Sequence, residues 1–324
     1  MKQKIINWGI VGAGSIARKF AEDLKSVSDS NLYAIGSRSI DKAEKFASDF
    51  NADLAYGTYE TLAQDKKIDA VYIATPHVFH KENTILFLNK GIAVLCEKPF
   101  AMNAEEVEDM INCAKQNNTL LMEALWTSFL PHYQYIQELI HKKHFGNVLK
   151  LKADFGFVPQ YDENSRLFKK DLGGGSLLDI GIYPIFAALS TLGLPNSINA
   201  IADFFPNGAD SKCDMVFEYN NVTAHLKCTL LEETKTEAVF ECENGTIVIN
   251  GRFHQPTTVT LIDSNGNTEV EDFNYKTLGY NYEIEHFNQL IRNGKTESDI
   301  MTFEFSKQLI KLLDAVRAEI GLKY

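Results

Sequence analysis

Four stretches of this 324-residue chain carry residue types that could do chemistry. The first is Gly12-Ala13-Gly14-Ser15-Ile16-Ala17, a G-x-G-x-x-A turn. An apolar run over residues 5–11 precedes it, and Ile16, Phe20, Leu24 and Val27 follow at helical spacing. In such a turn the first glycine permits a tight reversal and the second lets a pyrophosphate approach the backbone. The small third residue lets the helix lie close on the sheet. Taken alone, it also fits a glycine turn that binds nothing. The second stretch is Ser37-Arg38-Ser39, which follows an expected strand over 32–36. NAD-selective sites set an acid about 20 residues beyond the glycines to hold the ribose 2′-hydroxyl. This chain offers a hydroxyl and a guanidinium instead, which suit a 2′-phosphate and hence NADP. Asp41, the nearest acid, reads with Lys42, Ala43 and Glu44 as a capping box that opens the next helix. The third stretch is Val94-Leu95-Cys96-Glu97-Lys98-Pro99, an apolar strand that stops in an acid, a lysine and a proline. Ligands of open parallel sheets bind beyond the carboxyl ends of strands, so Lys98 is expected to face a crevice. By itself the stretch also reads as a surface lysine stopped by a proline.

A fourth stretch, Gly173-Gly174-Gly175-Ser176-Leu177-Leu178-Asp179-Ile180-Gly181-Ile182-Tyr183, lies far downstream. Asp179 and Tyr183 are four apart and would share one helical face. Pro184 is expected to kink or end that helix. Ser176-x-x-Asp179 also has capping-box spacing, and Tyr183 also fits an ordinary core, so on the residues alone both readings stay open.

The elements that must position these side chains fall into two patterns. Buried strands over 5–11, 32–36, 70–74 and 92–95 alternate with helical stretches, the signature of a doubly wound parallel sheet. From about residue 123 onward, helices over 129–141, 282–291 and 303–320 accompany strands that alternate in polarity. Residues 148–157 do so, and Ala224, Leu226, Cys228 and Leu230 alternate against Thr223, His225, Lys227 and Thr229. With Asn244-Gly245 and Asn265-Gly266 as turns, an antiparallel sheet is expected. The domains are therefore read as 1–122 and 123–324. The net charge of −11 opposes nucleic acid and anionic membrane surfaces as partners. No signal peptide and no apolar run near the ~18 residues of a membrane span is read. Five cysteines without CxxC spacing suggest neither a zinc site nor a disulfide framework, and reduced thiols fit a cytoplasmic protein. The histidines suggest no metal site.

The GAGSIA turn, the segments 74–80 (ATPHVFH) and 97–101 (EKPFA), and the run 173–183 together resemble the Gfo/Idh/MocA oxidoreductases over nearly the whole chain. Met122-Glu123-Ala124-Leu125-Trp126-Thr127 beside LLDIGIYP is similar to the branch of dimeric dihydrodiol dehydrogenases and NADP-dependent sugar dehydrogenases. The resemblance implies an N-terminal Rossmann domain followed by an α+β domain with a mixed, largely antiparallel sheet. It implies a cofactor held by Gly12, Gly14, Ser15, Ile16, Ala17, Ser37, Arg38, Thr75, Pro76, His77, His80, Glu97 and Lys98. It sets Lys98, Asp179 and Tyr183 around the nicotinamide, with tyrosine where most members have histidine, a departure that weighs against inositol-type activity. Trp126 and Phe155 match aromatic pocket residues that are equally readable as core. A phenol titrates near about 10, too high for a base at neutral pH, and an ammonium such as that of Lys98 lowers it. Whether Tyr183 or Lys98 carries the proton stays open. The expected activity is hydride transfer between NADP and a sugar or vicinal-diol carbon, with a small-molecule substrate and a homodimer as the assembly. The alternatives are a non-catalytic NAD(P)-sensing regulator and an NAD-dependent glycosidase of the same fold.

Overall fold

The structure, a computed structural model, describes residues 4–324. The chain divides into two compact units. One takes the chain up to Trp126 together with Lys276–Lys307, and the other takes Thr127–Tyr275 together with Gln308–Tyr324.

In the first unit six strands, β1 (Ile6–Val11), β2 (Ser30–Gly36), β3 (Leu54–Tyr56), β4 (Ala70–Ile73), β5 (Ala93–Glu97) and β6 (Leu121–Ala124), form one parallel sheet. Their order is β3-β2-β1-β4-β5-β6, so the winding reverses between β1 and β4. The strands are apolar on both faces because α1 (Ser15–Leu24), α2 (Ile40–Phe50), α3 (Tyr59–Leu62), α4 (His80–Leu88) and α5 (Ala104–Gln116) connect them. The first residue of α2 follows Ser39, whose hydroxyl accepts from the Lys42 N–H. Asp41 therefore lies in the first turn and is not the cap that its spacing with Glu44 suggests.

The sequence boundary at 122/123 gives residues 276–307 to the wrong unit. Trp8 of β1 is fully buried between Phe20 and Phe287, and its indole N–H donates to Asn288 Oδ1 at 3.1 Å. Asp23 at the end of α1 accepts from the Leu278 and Tyr280 N–H groups at 3.0 and 2.8 Å. Buried side chains and satisfied backbone groups thus bind α8 (Tyr280–Arg292, as numbered along the whole chain) to the first sheet.

The second unit carries eight strands, β7 (Val148–Gly156), β8 (Ser197–Phe204), β9 (Asp210–Glu218), β10 (Thr223–Thr229), β11 (Ala238–Cys242), β12 (Gly245–Ile249), β13 (Val259–Asp263) and β14 (Thr268–Glu271). Their order is β14-β13-β12-β11-β7-β10-β9-β8, with β7 and β10 parallel and every other pair antiparallel. One face packs on α7 (Ile182–Leu192), and α6 (Pro131–His141) packs on α7. The alternation in β10 holds up to Cys228, whereas Thr229, at the strand end, is buried. The helix α9 (Phe303–Glu319) contributes residues to both units. By length and composition the helical segment Lys170–Leu192 does reach membrane-spanning size, contrary to the sequence reading, but it is almost wholly buried in the second unit as a core element.

Candidate active site

In the first unit the groups suited to a dinucleotide gather at the carboxyl ends of β1, β2, β4 and β5. Gly12 has φ +102°, and a Cβ there would sit 2.8 Å from the Ala74 carbonyl oxygen, so the turn beside β4 admits only glycine. Gly14 and Ser15 are exposed, and Ala17 is buried against the sheet. No side chain caps the N-terminus of α1, whose first N–H groups are thus open to an anion. At the end of β2, Ser37 is buried and its hydroxyl accepts from the Ser39 N–H at 3.3 Å. The exposed Arg38 lays its guanidinium 5.1 Å from the Phe79 ring centre. A pocket of about 480 Å³ opens here, lined among others by Arg38, Tyr59, Thr75, Pro76 and Phe79. An uncapped helix end, an accessible glycine and a cationic rim at the second strand fit an NADP-type dinucleotide.

His77 and His80 follow β4 and are both buried. The His80 ring spans two strand ends, with Nε2 2.9 Å from the Thr75 carbonyl and Nδ1 2.9 Å from the Pro99 carbonyl. Lys98, half-buried, precedes Pro99 across a cis peptide bond. Behind it lies a layer of acids. Glu97 accepts from the Tyr72 hydroxyl and from the Lys98 N–H. Glu123 accepts from the Phe100 N–H at 3.1 Å, and burial pushes its carboxyl up to about 7. Glu283 of α8 is fully buried, and burial, then Glu97 and Asp23, drive its pKa upward. Trp126 belongs to this unit and stacks on Tyr280 at 4.4 Å.

In the second unit the glycine run does what the sequence suggests, by another route. Gly175 has φ +125°, and a Cβ there would lie 2.1 Å from Asp210 Oδ1. The closeness is needed because Asp210, from β9, caps the following helix: its Oδ2 accepts from the Ser176 hydroxyl and the Leu177 N–H, both at 2.6 Å. Ser176 itself makes no capping bond. The capping-box reading of 176–179 is therefore not what the chain does. One turn of π-helix, Leu177–Gly181, leads into α7. Pro184 does not end the helix: it lies in the first turn of α7, directly after the π turn. Asp179, released from capping, pairs with Arg166 at 2.8 Å. Tyr183, four residues on, is buried with its ring 5.8 Å from Phe155 and 4.7 Å from His254.

Asp179, Tyr183 and Phe155 thus meet in one unit, while the glycine turn, Ser37, Arg38, His77, His80, Lys98 and Trp126 belong to the other. Arg166, Asp210 and His254 were not singled out by sequence. No local spacing marks them, since each acts on a residue 13 or more positions away. No group of three or more metal-ligating side chains occurs among the described residues.

Comparison with known proteins agrees with this geometry. Residues 6–125 match an oxidoreductase family with an NAD-binding Rossmann fold, and residues 133–248 match the Gfo/Idh/MocA C-terminal domain. The chain is 34% identical to scyllo-inositol 2-dehydrogenase (NADP(+)) of Bacillus subtilis, covering 99% of this chain and 98% of that one. It is 34% identical to trans-1,2-dihydrobenzene-1,2-diol dehydrogenase of Xenopus tropicalis, covering 98% of each. A 3-ketoreductase from Actinomadura kijaniata, solved with NADP and TDP-benzene, superposes with a TM-score of 0.86 at 26% identity over 98% of each chain. An inositol dehydrogenase therefore stands as near to this chain as a dihydrodiol dehydrogenase does, so tyrosine at 183 does not count against inositol-type activity. With both halves of the fold matched by their own models, this chain belongs to the Gfo/Idh/MocA family of oxidoreductases.

Proposed function

We propose that the protein is an NADP-dependent dehydrogenase or reductase acting at a hydroxyl-bearing carbon of a cyclic polyol, a sugar or a vicinal diol. The observation that carries this is the division of labour at 176–183. Asp210 takes the cap, so Asp179 stands four residues from Tyr183 and pairs with Arg166. An acid and a phenol on one side of a helix are suited to guiding and relaying a hydroxyl proton. When bound, the nicotinamide accepts or returns the hydride.

The chain's own residues do the rest. The α1 N-terminus and Gly14 receive the pyrophosphate, and Arg38 with Ser37 receives the 2′-phosphate. In this reading Tyr183 carries the proton, Asp179 orients the substrate hydroxyl, and Phe155 supplies an apolar wall. Lys98 and Trp126, in the cofactor unit, are the further candidates for the chemistry. NADP is favoured by the absence of an acid at residues 37 and 38 and by the NADP of the inositol dehydrogenase and the ketoreductase. The test is a screen of scyllo-inositol, aldoses and trans-1,2-dihydrobenzene-1,2-diol with NADP and NAD, followed by nicotinamide absorbance. Turnover of none of them with either cofactor would sink the proposal.

The same reading includes a cytoplasmic homodimer. The open face of β8–β10 supports the dimer: Ile201 is 72% exposed there, beside a shallow depression whose lining on that face includes Asn199, Val216, His225 and Lys227. Light scattering at micromolar concentration should give twice the chain mass, and a monomer mass would count against it. Five thiols outside any disulfide suit a reducing compartment.

A further inference from the structure

The backbone of Arg166 is held more firmly than a surface ion pair requires. The residue lies in the irregular stretch between β7 and α7, and its side chain is 41% exposed. A pair of that exposure contributes about 0–1 kcal/mol, so stability does not account for what surrounds it. Gly174 is the first part of those surroundings. A Cβ there would sit 2.6 Å from the Arg166 carbonyl oxygen and 2.8 Å from the Lys169 nitrogen and carbonyl oxygen, backbone atoms that cannot turn aside. The Gly174 N–H donates to the Lys169 carbonyl at 3.0 Å and the Gly175 N–H to the Leu167 carbonyl at 2.9 Å. Phe168 is buried edge-on against Tyr161 and Phe205, with ring centres 4.8 and 5.2 Å away, and its carbonyl accepts from Asn207 Nδ2 at 2.7 Å. The glycine run thus serves two close approaches, Gly175 to Asp210 and Gly174 to the Arg166 backbone. Both bear on the turn that carries Asp179, which Asp210 caps and Arg166 pairs with.

We infer that Arg166 is a positioning residue for the reaction, fixing the Asp179 carboxylate in one orientation and as an acceptor toward the substrate hydroxyl. The inference rests on the reading that Asp179 belongs to the substrate site. The guanidinium donates to Asp179 Oδ1 at 2.8 Å. A guanidinium carries donors only and keeps its proton, so the carboxylate that meets it is an acceptor. A carboxylate that steers a substrate hydroxyl has to accept from its O–H. Carrying a proton of its own, it would donate instead and turn the hydroxyl about. Arg166 therefore acts through Asp179, and its role needs no contact of its own with substrate or cofactor.

The test is a double-variant cycle on the full chain with NADP and whichever of scyllo-inositol, an aldose or trans-1,2-dihydrobenzene-1,2-diol the wild type turns over. Arg166→Ala should lower kcat by about 10- to 100-fold, the scale of a misplaced reacting group, and change KM by less than about threefold. Added to Asp179→Asn, it should cost less than about threefold more, because its effect passes through the carboxylate. Guanidinium chloride well below denaturing concentration should restore part of the Arg166→Ala rate, and potassium chloride at the same ionic strength should not, a distinction that a packing defect would not make. Arg166→Lys, which keeps the charge without the fork, should fall between Arg166→Ala and wild type. An impaired Asp179→Asn beside an unimpaired Arg166→Ala would overturn the inference alone. So would full additivity in the double variant, or rescue by both salts alike or by neither. Full turnover in Asp179→Asn, or no turnover by the wild type, would instead bring down the proposed site, and the inference with it.

Discussion

Tyr183 is a phenol enclosed by Phe155 and His254, with Asp179 one helical turn before it. If the phenol relays the proton, Tyr183→Phe should lower kcat by roughly 10²–10⁴-fold, the worth of a positioned acid or base. NADP affinity should hardly change, because the hydroxyl is needed only in the chemical step. Near-normal turnover would remove Tyr183 and leave Lys98 as the proton carrier. Asp179 is tied to Arg166 and not to the helix end, so Asp179→Asn should lower the rate while the unfolding midpoint stays close to wild type. A variant with a lost midpoint and retained turnover would show that the residue is structural after all. At the other end of the chemistry, Arg38→Ala should weaken NADP binding by about 1.5–3 kcal/mol, the scale of a charge-assisted hydrogen bond, and leave NAD binding nearly untouched. Equal losses for the two cofactors in a fluorescence titration would contradict the role given to Arg38.

At the scale of elements, the glycine turn was legible because sterics leave few residue types at such a place. At Gly12 a side chain would strike the Ala74 carbonyl, and the flanking apolar periods are local. The helix that carries Asp179 and Tyr183 was misread at its start because its cap comes from another strand. Asp210 is 33 residues from the Leu177 N–H that it accepts, and no spacing rule reaches that far. The same limit hid His254, which meets Phe155 only because the loop after β12 returns over β7. Arg166 sits in an irregular segment where periodicity says nothing. The cap yields its own prediction. Asp210→Ala leaves the Leu177 N–H and the Ser176 hydroxyl buried without that acceptor, so denaturant unfolding should show a loss of about 2–4 kcal/mol. Asp210→Asn can still accept one of the two bonds and should lose less. An equal loss in both variants would argue that the carboxylate charge, and not the bonds, holds the helix.

Across the whole molecule, two buried groups set opposite responses to acid. Burial raises Glu123 in the first unit to about 7 and lowers His132 in the second to about 4. The folded value of Glu123 exceeds its ordinary 4.5, so its stabilising share is complete below that pH and is lost as pH rises through 7. The folded value of His132 lies below its ordinary 6.5, so its share is complete above that pH and is lost as pH falls through 4. Each shift corresponds to roughly 3 kcal/mol. Moving from about pH 7.5 to about pH 5 should therefore strengthen the first unit and weaken the second. Hydrogen exchange resolved by segment should show protection rising in β1–β6 and falling in β7–β14. Glu123→Gln should flatten the first trend and His132→Asn the second, and parallel trends in both units of wild type would refute the assignment.

The bond from the Trp8 indole to Asn288 spans 280 residues of chain, and it has a consequence for the order of events on the ribosome. Domains usually fold as they emerge, N-terminal first. Here the leading strand cannot cover its tryptophan until α8 has emerged, and every strand of the second sheet leaves the exit tunnel before it. The unit that is begun first is therefore completed late. Nascent chains stalled with Tyr275 just clear of the tunnel should leave residues 4–126 open to protease while 127–275 begin to resist it, and chains carried on a C-terminal linker until Lys307 is also clear should close the earlier segment.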